Sequence, residues 1–169
     1  EFTYAGRISK EKGLSELIKS FKDANLKDYV LNIIGTGPIQ KQLSDENQIY
    51  SNIRFYGEID NSKVIEIIKN SKAVVTSTKM YEGQPTVLCE ASMLSVPSIF
   101  PETGSIPSFF PPNYPFMFEQ GNKEDFHKKM LEFYENKNLS NVALNNKDYI
   151  LGLLKEETLY KKFEEIISN

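Results

Sequence analysis

At 169 residues, 40% of them hydrophobic and 25% charged, the chain has the length and composition of one folded domain with a real core. A formal net charge of −3 argues against nucleic-acid binding by bulk electrostatics. A single cysteine, Cys89, excludes an intrachain disulfide or thiol metal cluster, and a single histidine, His127, leaves little material for a His-based metal site or a Ser-His-Asp triad.

Strand and helix patterns alternate from the start. Phe2–Ala5 reads as a strand, and Leu14, Leu17, Ile18 and Phe21 then recur at helical spacing. A buried strand is predicted over 29–34, ending at Gly35-Thr36-Gly37-Pro38. The helix after it turns Ile39 and Leu43 inward. A third strand spans 53–56 and closes at Gly57. The next helix carries Val64, Ile65, Ile67 and Ile68, with Asp60 or Asn61 as its cap.

Residues 73–76 give a fourth strand, followed by a helix over 85–95 with Pro85 at its first position. That helix is apolar nearly all round, so it is expected to be buried on more than one face. Cys89 on it reads as a core thiol rather than a nucleophile paired with His127. Short strands follow at 97–100 and 114–118, and the proline-rich stretch over 101–115 is expected to be loop or extended chain. Beyond Asn122 the pattern is helical. Phe126, Met130, Phe133 and Tyr134 form one stripe, and Leu159, Phe163, Ile166 and Ile167 form another that packs back on the body.

This alternation predicts an α/β fold: a Rossmann-like, mostly parallel sheet with helices on both faces. Ligands in such folds lie at the carboxyl ends of the strands, and every motif below follows a predicted strand. Residue 1 is Glu and strand begins at once, so the chain is expected to be a piece cut from a longer protein at a domain boundary.

Glu82-Gly83-Gln84-Pro85-Thr86-Val87-Leu88-Cys89-Glu90 sets two carboxylates across a helix start. The amides of Thr86 and Val87 are expected to point out of the helix end, where the dipole favours an anion such as a phosphate. Acidic residues are also common at helix starts for their own sake, so this segment alone leaves function open. Gly6-Arg7 with Lys12-Gly13 follows the first strand. Gly6 permits a tight turn, and Arg7 and Lys12 can reach one diphosphate from two sides. Gly35-Thr36-Gly37-Pro38-Ile39-Gln40 has Gln40 where a dinucleotide fingerprint needs its third glycine, so tight strand-to-helix turning accounts for it better.

In order and spacing, these segments resemble the carboxyl-terminal half of retaining glycosyltransferases of the GT-B fold, the group 1 or GT4 family. The resemblance runs from Gly6-Arg7 and Lys12-Gly13 through Ile34-Gly35-Thr36-Gly37-Pro38 and Phe55-Tyr56-Gly57 to Glu82-Gly83-Gln84-Pro85 and Glu90-Ala91. It ends at Val96-Pro97 and Gly104-Ser105-Ile106-Pro107.

The resemblance implies a single nucleotide-sugar donor domain over 1–169, joined in the whole protein to an amino-terminal acceptor domain. It implies that Arg7 and Lys12 bind the diphosphate, and that Glu82 meets the transferred sugar. Gly6, Gly83, Gln84, Pro85, Thr86 and Val87 would lie along the donor, with Glu90 on the ribose and Gly57 to Ile59 at the base. It implies sugar transfer with retention of configuration, needing no cofactor and no metal, since no Asp-x-Asp pair occurs and Arg7 and Lys12 stand in for a divalent ion. The implied partners are a nucleotide-sugar donor and, through the amino-terminal half, a sugar or lipid-linked acceptor. The implied setting is cytoplasmic, with any contact to the inner face of the cell membrane made by that other half. Pro85, Ser105 and Ser108 depart from residues frequent in the family and blur the sugar specificity. A sugar-nucleotide epimerase or phosphorylase on the same fold, and a non-catalytic nucleotide-binding module, remain as alternatives.

Overall fold

The computed structural model describes residues 1–26, 28–158 and 160. Six strands form one all-parallel sheet: β1 (Phe2–Ala5), β2 (Leu31–Ile34), β3 (Ile53–Gly57), β4 (Ala73–Val75), β5 (Ser98–Glu102) and β6 (Met117–Glu119). Their spatial order is β3-β2-β1-β4-β5-β6. The chain runs outward from β1 to β3, then returns to lay β4 on the other side of β1. That reversal leaves a crevice beyond the carboxyl ends of β1 and β4, the usual ligand position in open α/β sheets.

Successive side chains of a strand point to opposite faces, and β1 shows what each face meets. Phe2 packs edge-on to Phe21 of α1 (Leu14–Asp23) at 6.2 Å and against Phe133 of α5 (Lys123–Glu135) at 5.6 Å. Thr3, one residue on, hydrogen-bonds Ser71 at 2.6 Å, just past the end of α3 (Asn61–Lys69). Helices therefore cover both faces, as expected. α4 (Thr86–Met93) packs on β4, β5 and α6 (Leu139–Leu153), which agrees with its apolar circumference. The remaining helix, α2 (Gln40–Asn47), buries Leu43.

Several boundaries differ from the sequence reading, each for a local reason. β2 starts at Leu31 because Tyr29 closes a turn onto the Leu26 carbonyl and stacks on Phe2 at 5.2 Å. Asp60 precedes α3 but its side chain makes no cap bond. Pro101 lies within β5, paired in register with Phe118. The strand tolerates it because pairing with β4 ends at Ile99, so no ladder bond needs its missing N–H. Tyr114 falls outside β6. Its hydroxyl instead accepts from the Ser98 amide (2.8 Å) and donates to the Ser98 carbonyl (3.0 Å). In α5 the stripe of Phe126, Met130 and Phe133 is buried, whereas Tyr134 is exposed and rests edge-on against Tyr29. The second stripe, Leu159, Phe163, Ile166 and Ile167, lies outside the described residues.

Candidate functional site

The crevice at the topological switch is a cleft of about 340 Å³. Its lining includes Gly6, Arg7, Lys12, Glu82, Gln84, Pro85, Thr86 and Val87, so eight of the twelve residues singled out from sequence converge there. Gly83 sits exposed within the same loop. Gly57, Ile59 and Glu90 do not line this cleft. Ile59 lines a separate hollow with Tyr56 and Lys63. Glu90 is half-buried one helical turn beyond Thr86, on the same side of α4. A second cleft of about 430 Å³ shares Gly6 and Arg7 with the first and continues over Gly35-Thr36-Gly37-Pro38 to Glu58.

Lys12 is placed by backbone contacts. After the 3₁₀ turn Lys10–Lys12, Gly13 adopts left-handed φ of 69° and presses on the loop just after β4, where a β-carbon would stand 2.0 Å from the Ser77 carbonyl oxygen. The Ser77 hydroxyl donates to the Gly13 carbonyl at 2.8 Å. Lys79 adds two ties, its amide to the Glu11 carbonyl (2.8 Å) and its ammonium to Glu16 of α1 (2.7 Å). Lys12 thus reaches over the β4–α4 loop and pairs with Glu82, Nζ to Oε1, at 2.5 Å. Both side chains are about a quarter exposed, at 26% and 24%.

Glu82 is fastened from its other side as well. Gly104, at φ of 58°, leaves room for the Glu82 carbonyl, which a β-carbon there would approach to 2.1 Å. The Ser105 amide donates to that carbonyl at 2.8 Å. The resemblance placed Gly104-Ser105 among the family segments, and their contact here is with the acidic loop itself. At the carboxylate, Thr78 donates its hydroxyl to Glu82 Oε1 at 2.8 Å. Thr78 is a residue that the sequence reading missed. Its signal was thin: a hydroxyl just past a strand end, four positions before the acid.

The start of α4 differs from the expectation of two outward amides. Pro85 is the cap rather than the first helical residue, with φ −83° and ψ 75°. These are the dihedrals of an inverse γ-turn, and the Thr86 amide accordingly donates to the Gln84 carbonyl at 3.0 Å. The Thr86 N–H is thereby used within the turn. The amide of Val87 makes no hydrogen bond among the described residues, so one donor rather than two faces out of the helix end.

Arg7 is exposed at the junction of the two clefts and enters no ion pair among the described residues. Its carbonyl accepts from the Tyr4 hydroxyl at 2.7 Å, which fixes the turn after β1. Burial pushes the Tyr4 hydroxyl far above its ordinary pKa, with the charges of Glu82 and Glu11 adding to the shift. Gly35 and Gly37 serve packing: β-carbons there would meet the carbonyls of Gly6 and Ile8 at 2.0 and 2.1 Å. This agrees with tight turning rather than a dinucleotide fingerprint.

The cleft therefore brings together a free guanidinium, an ammonium paired with a carboxylate, and a helix amide, arranged around the end of a parallel sheet. Solved structures share this architecture. The crystal structure of Anabaena Alr3699/HepE in complex with UDP superposes with a TM-score of 0.79 over 99% of this chain and 48% of that one, at 15% identity. The C-terminal domain of a glycosyl transferase group 1 family protein (LpcC) from Francisella tularensis gives 0.78 over 92% of this chain and 86% of that one, at 20% identity. In sequence, TuaC of Bacillus subtilis (strain 168), provisionally assigned as a teichuronic acid biosynthesis glycosyltransferase, is 33% identical over 110 residues, 63% of this chain and 26% of that protein. The matched segment thus spans about a quarter of that relative's length. The family described as "Glycosyl transferases group 1" matches residues 1–149, which include every residue of the cleft, and the chain belongs to that family.

Proposed function

We propose that this chain is the donor-binding domain of a retaining glycosyltransferase, which moves a sugar from a nucleoside-diphosphate sugar to an acceptor held by an amino-terminal domain. The observation that carries the reading is the convergence of Arg7, Lys12 and Glu82 at the carboxyl ends of β1 and β4. Cleaving the bond between the anomeric carbon and the phosphate oxygen leaves negative charge on the diphosphate. Fixed cations and a helix amide stabilise that charge where it develops.

An ion pair as exposed as Lys12–Glu82 contributes on the order of 1 kcal/mol or less. Each charge-assisted hydrogen bond to a phosphate contributes roughly 1.5–3 kcal/mol. The arithmetic favours exchange: the diphosphate draws Lys12 away and Glu82 becomes free to accept hydrogen bonds from the sugar. Arg7 approaches the same diphosphate from the other side, so that no divalent cation is needed. Glu90 lies one turn behind the phosphate end, within reach of the ribose hydroxyls. The shared cleft over Glu58 takes the base, with Gly57 at its edge. The relative named for teichuronic acid biosynthesis points to assembly of a cell-envelope polysaccharide as the setting.

Calorimetric titration of the chain with UDP, GDP and ADP tests this reading, with Arg7→Ala and Glu90→Ala as controls. The expected result is saturable binding of one nucleotide, weakened by both substitutions and unchanged by EDTA. Binding of none by the chain joined to its amino-terminal domain overturns it.

A further inference from the structure

The carboxylate of Glu82 is divided between two environments. Oε1 takes both protein donors, Lys12 Nζ and Thr78 Oγ1, and Oε2 has no hydrogen-bond partner among the described residues. Thr78 is 2% exposed and sits on the cleft wall, and its oxygen also accepts from the Met80 amide at 3.3 Å. A hydroxyl has one proton to give. With the Met80 amide on a lone pair of Oγ1, that proton is turned toward Glu82. The loop that carries this hydroxyl is tied down elsewhere: the Thr103 hydroxyl and Gln120 amide donate to the Met80 carbonyl at 3.2 and 3.1 Å.

We infer that Thr78 is a positioning residue for Glu82, which holds Oε1 after Lys12 has left it for the donor's diphosphate and so keeps Oε2 aimed at the sugar. This role rests on the donor-site reading above. Lys12 is a mobile partner, because the ligand competes for it. Thr78 is a neutral partner that a phosphate does not attract, so its bond survives the exchange. Without it, a glutamate released by Lys12 is free to rotate at the moment when its direction matters. The effect therefore falls on recognition of the sugar and not on recognition of the nucleotide.

The test compares the wild-type chain with Thr78→Val, which removes the hydroxyl at nearly constant volume, and Thr78→Ser, which keeps it. Each is titrated with UDP and with UDP-glucose, or with the GDP–GDP-mannose or ADP–ADP-glucose pair if the wild type binds that nucleotide. Thr78→Ala replaces Thr78→Val if the valine variant does not fold. The nucleotide affinity is expected to stay within about twofold in all variants. The ratio of sugar-nucleotide to nucleotide affinity falls roughly tenfold in Thr78→Val and is restored in Thr78→Ser, the size expected for one hydrogen bond to a charged group. An unchanged ratio in Thr78→Val, or a serine variant as impaired as the valine one, overturns the role of Thr78 alone. A wild type that binds no nucleotide and no sugar nucleotide, both alone and joined to its amino-terminal domain, overturns the donor-site reading and this role with it.

Discussion

The α-carbon of Gly13 lies against the carbonyl of Ser77 so closely that a β-carbon would stand 2.0 Å from its oxygen. This contact joins the loop after β1 to the loop after β4, and Lys12 is its neighbour in sequence. Gly13→Ala is expected to lose at least about 2 kcal/mol of stability, since left-handed φ alone costs an alanine roughly 1–2 kcal/mol and the contact must also open. Urea unfolding measures the loss. Nucleotide binding by the folded variant should fall as well, because Lys12 moves with the loop. A variant as stable as the wild type contradicts the packing argument.

Lys12 and Glu82 are paired in the free cleft, so their substitutions are expected to act with opposite signs on nucleotide binding. Lys12→Met removes a cation from the diphosphate and weakens UDP by roughly tenfold or more. Glu82→Gln releases the lysine, and UDP binds as tightly or more tightly. In the proposed two-domain enzyme the same Glu82→Gln change is expected to slow transfer by about a hundredfold or more, the scale of losing one preorganised polar contact at a reacting centre. Equal weakening of UDP by both substitutions would show that the two side chains act as a single structural unit.

Tyr114 holds both backbone polar groups of Ser98 with one hydroxyl. Tyr114→Phe keeps the ring, its stacking on Phe100 and its edge contact with Phe110, and leaves a buried N–H and a buried C=O unpaired. The expected loss is about 2–6 kcal/mol, from two unsatisfied groups at roughly 1–3 kcal/mol each. Equilibrium denaturation reads it directly, and a loss under about 0.5 kcal/mol would mean that water replaces the hydroxyl.

Cys89 is expected to be a slow thiol. Burial, with the charge of Glu90 beside it, pushes its pKa up to about 11. The thiolate is the reactive form, so at pH 8 only a small fraction reacts, and the fraction grows tenfold with each pH unit until the thiol titrates. Alkylation by iodoacetamide at pH 8 should run much faster in urea than in buffer. Equal rates in the two solutions would place the sulfur in open solvent.

Phe2–Ala5 matched its predicted strand to the residue because this aromatic and β-branched run ends at a glycine that turns the chain. The parallel sheet with helices on both faces followed from strand–helix alternation alone, whereas the strand order and its reversal at β1 and β4 came only from the structure. The polar partnerships did not. Thr78 meets Glu82 within one loop, but Ser77 meets Gly13 across 64 residues, and no periodicity reports contacts of that kind. Pro85 misled for a different reason. Proline is compatible both with a first helical position and with a γ-turn, and only ψ separates them. Pro101 looked like a strand breaker, since sequence does not reveal where a neighbouring ladder stops.

The acidic loop is gripped through its main chain at the carbonyls of Ser77, Thr78, Met80 and Glu82, and none of its side-chain ties comes from Met80, Tyr81 or Gln84 among the described residues. Backbone fastening is indifferent to what the outward side chains are. Tyr81, Gln84 and Met80 are all exposed on that loop, so they can be exchanged without loosening the frame that aims Glu82. On the proposed donor-site reading, a protein built this way changes the sugar that it accepts through a few surface substitutions and keeps the frame around Glu82 intact. Those positions are where a combinatorial library aimed at new donors should begin.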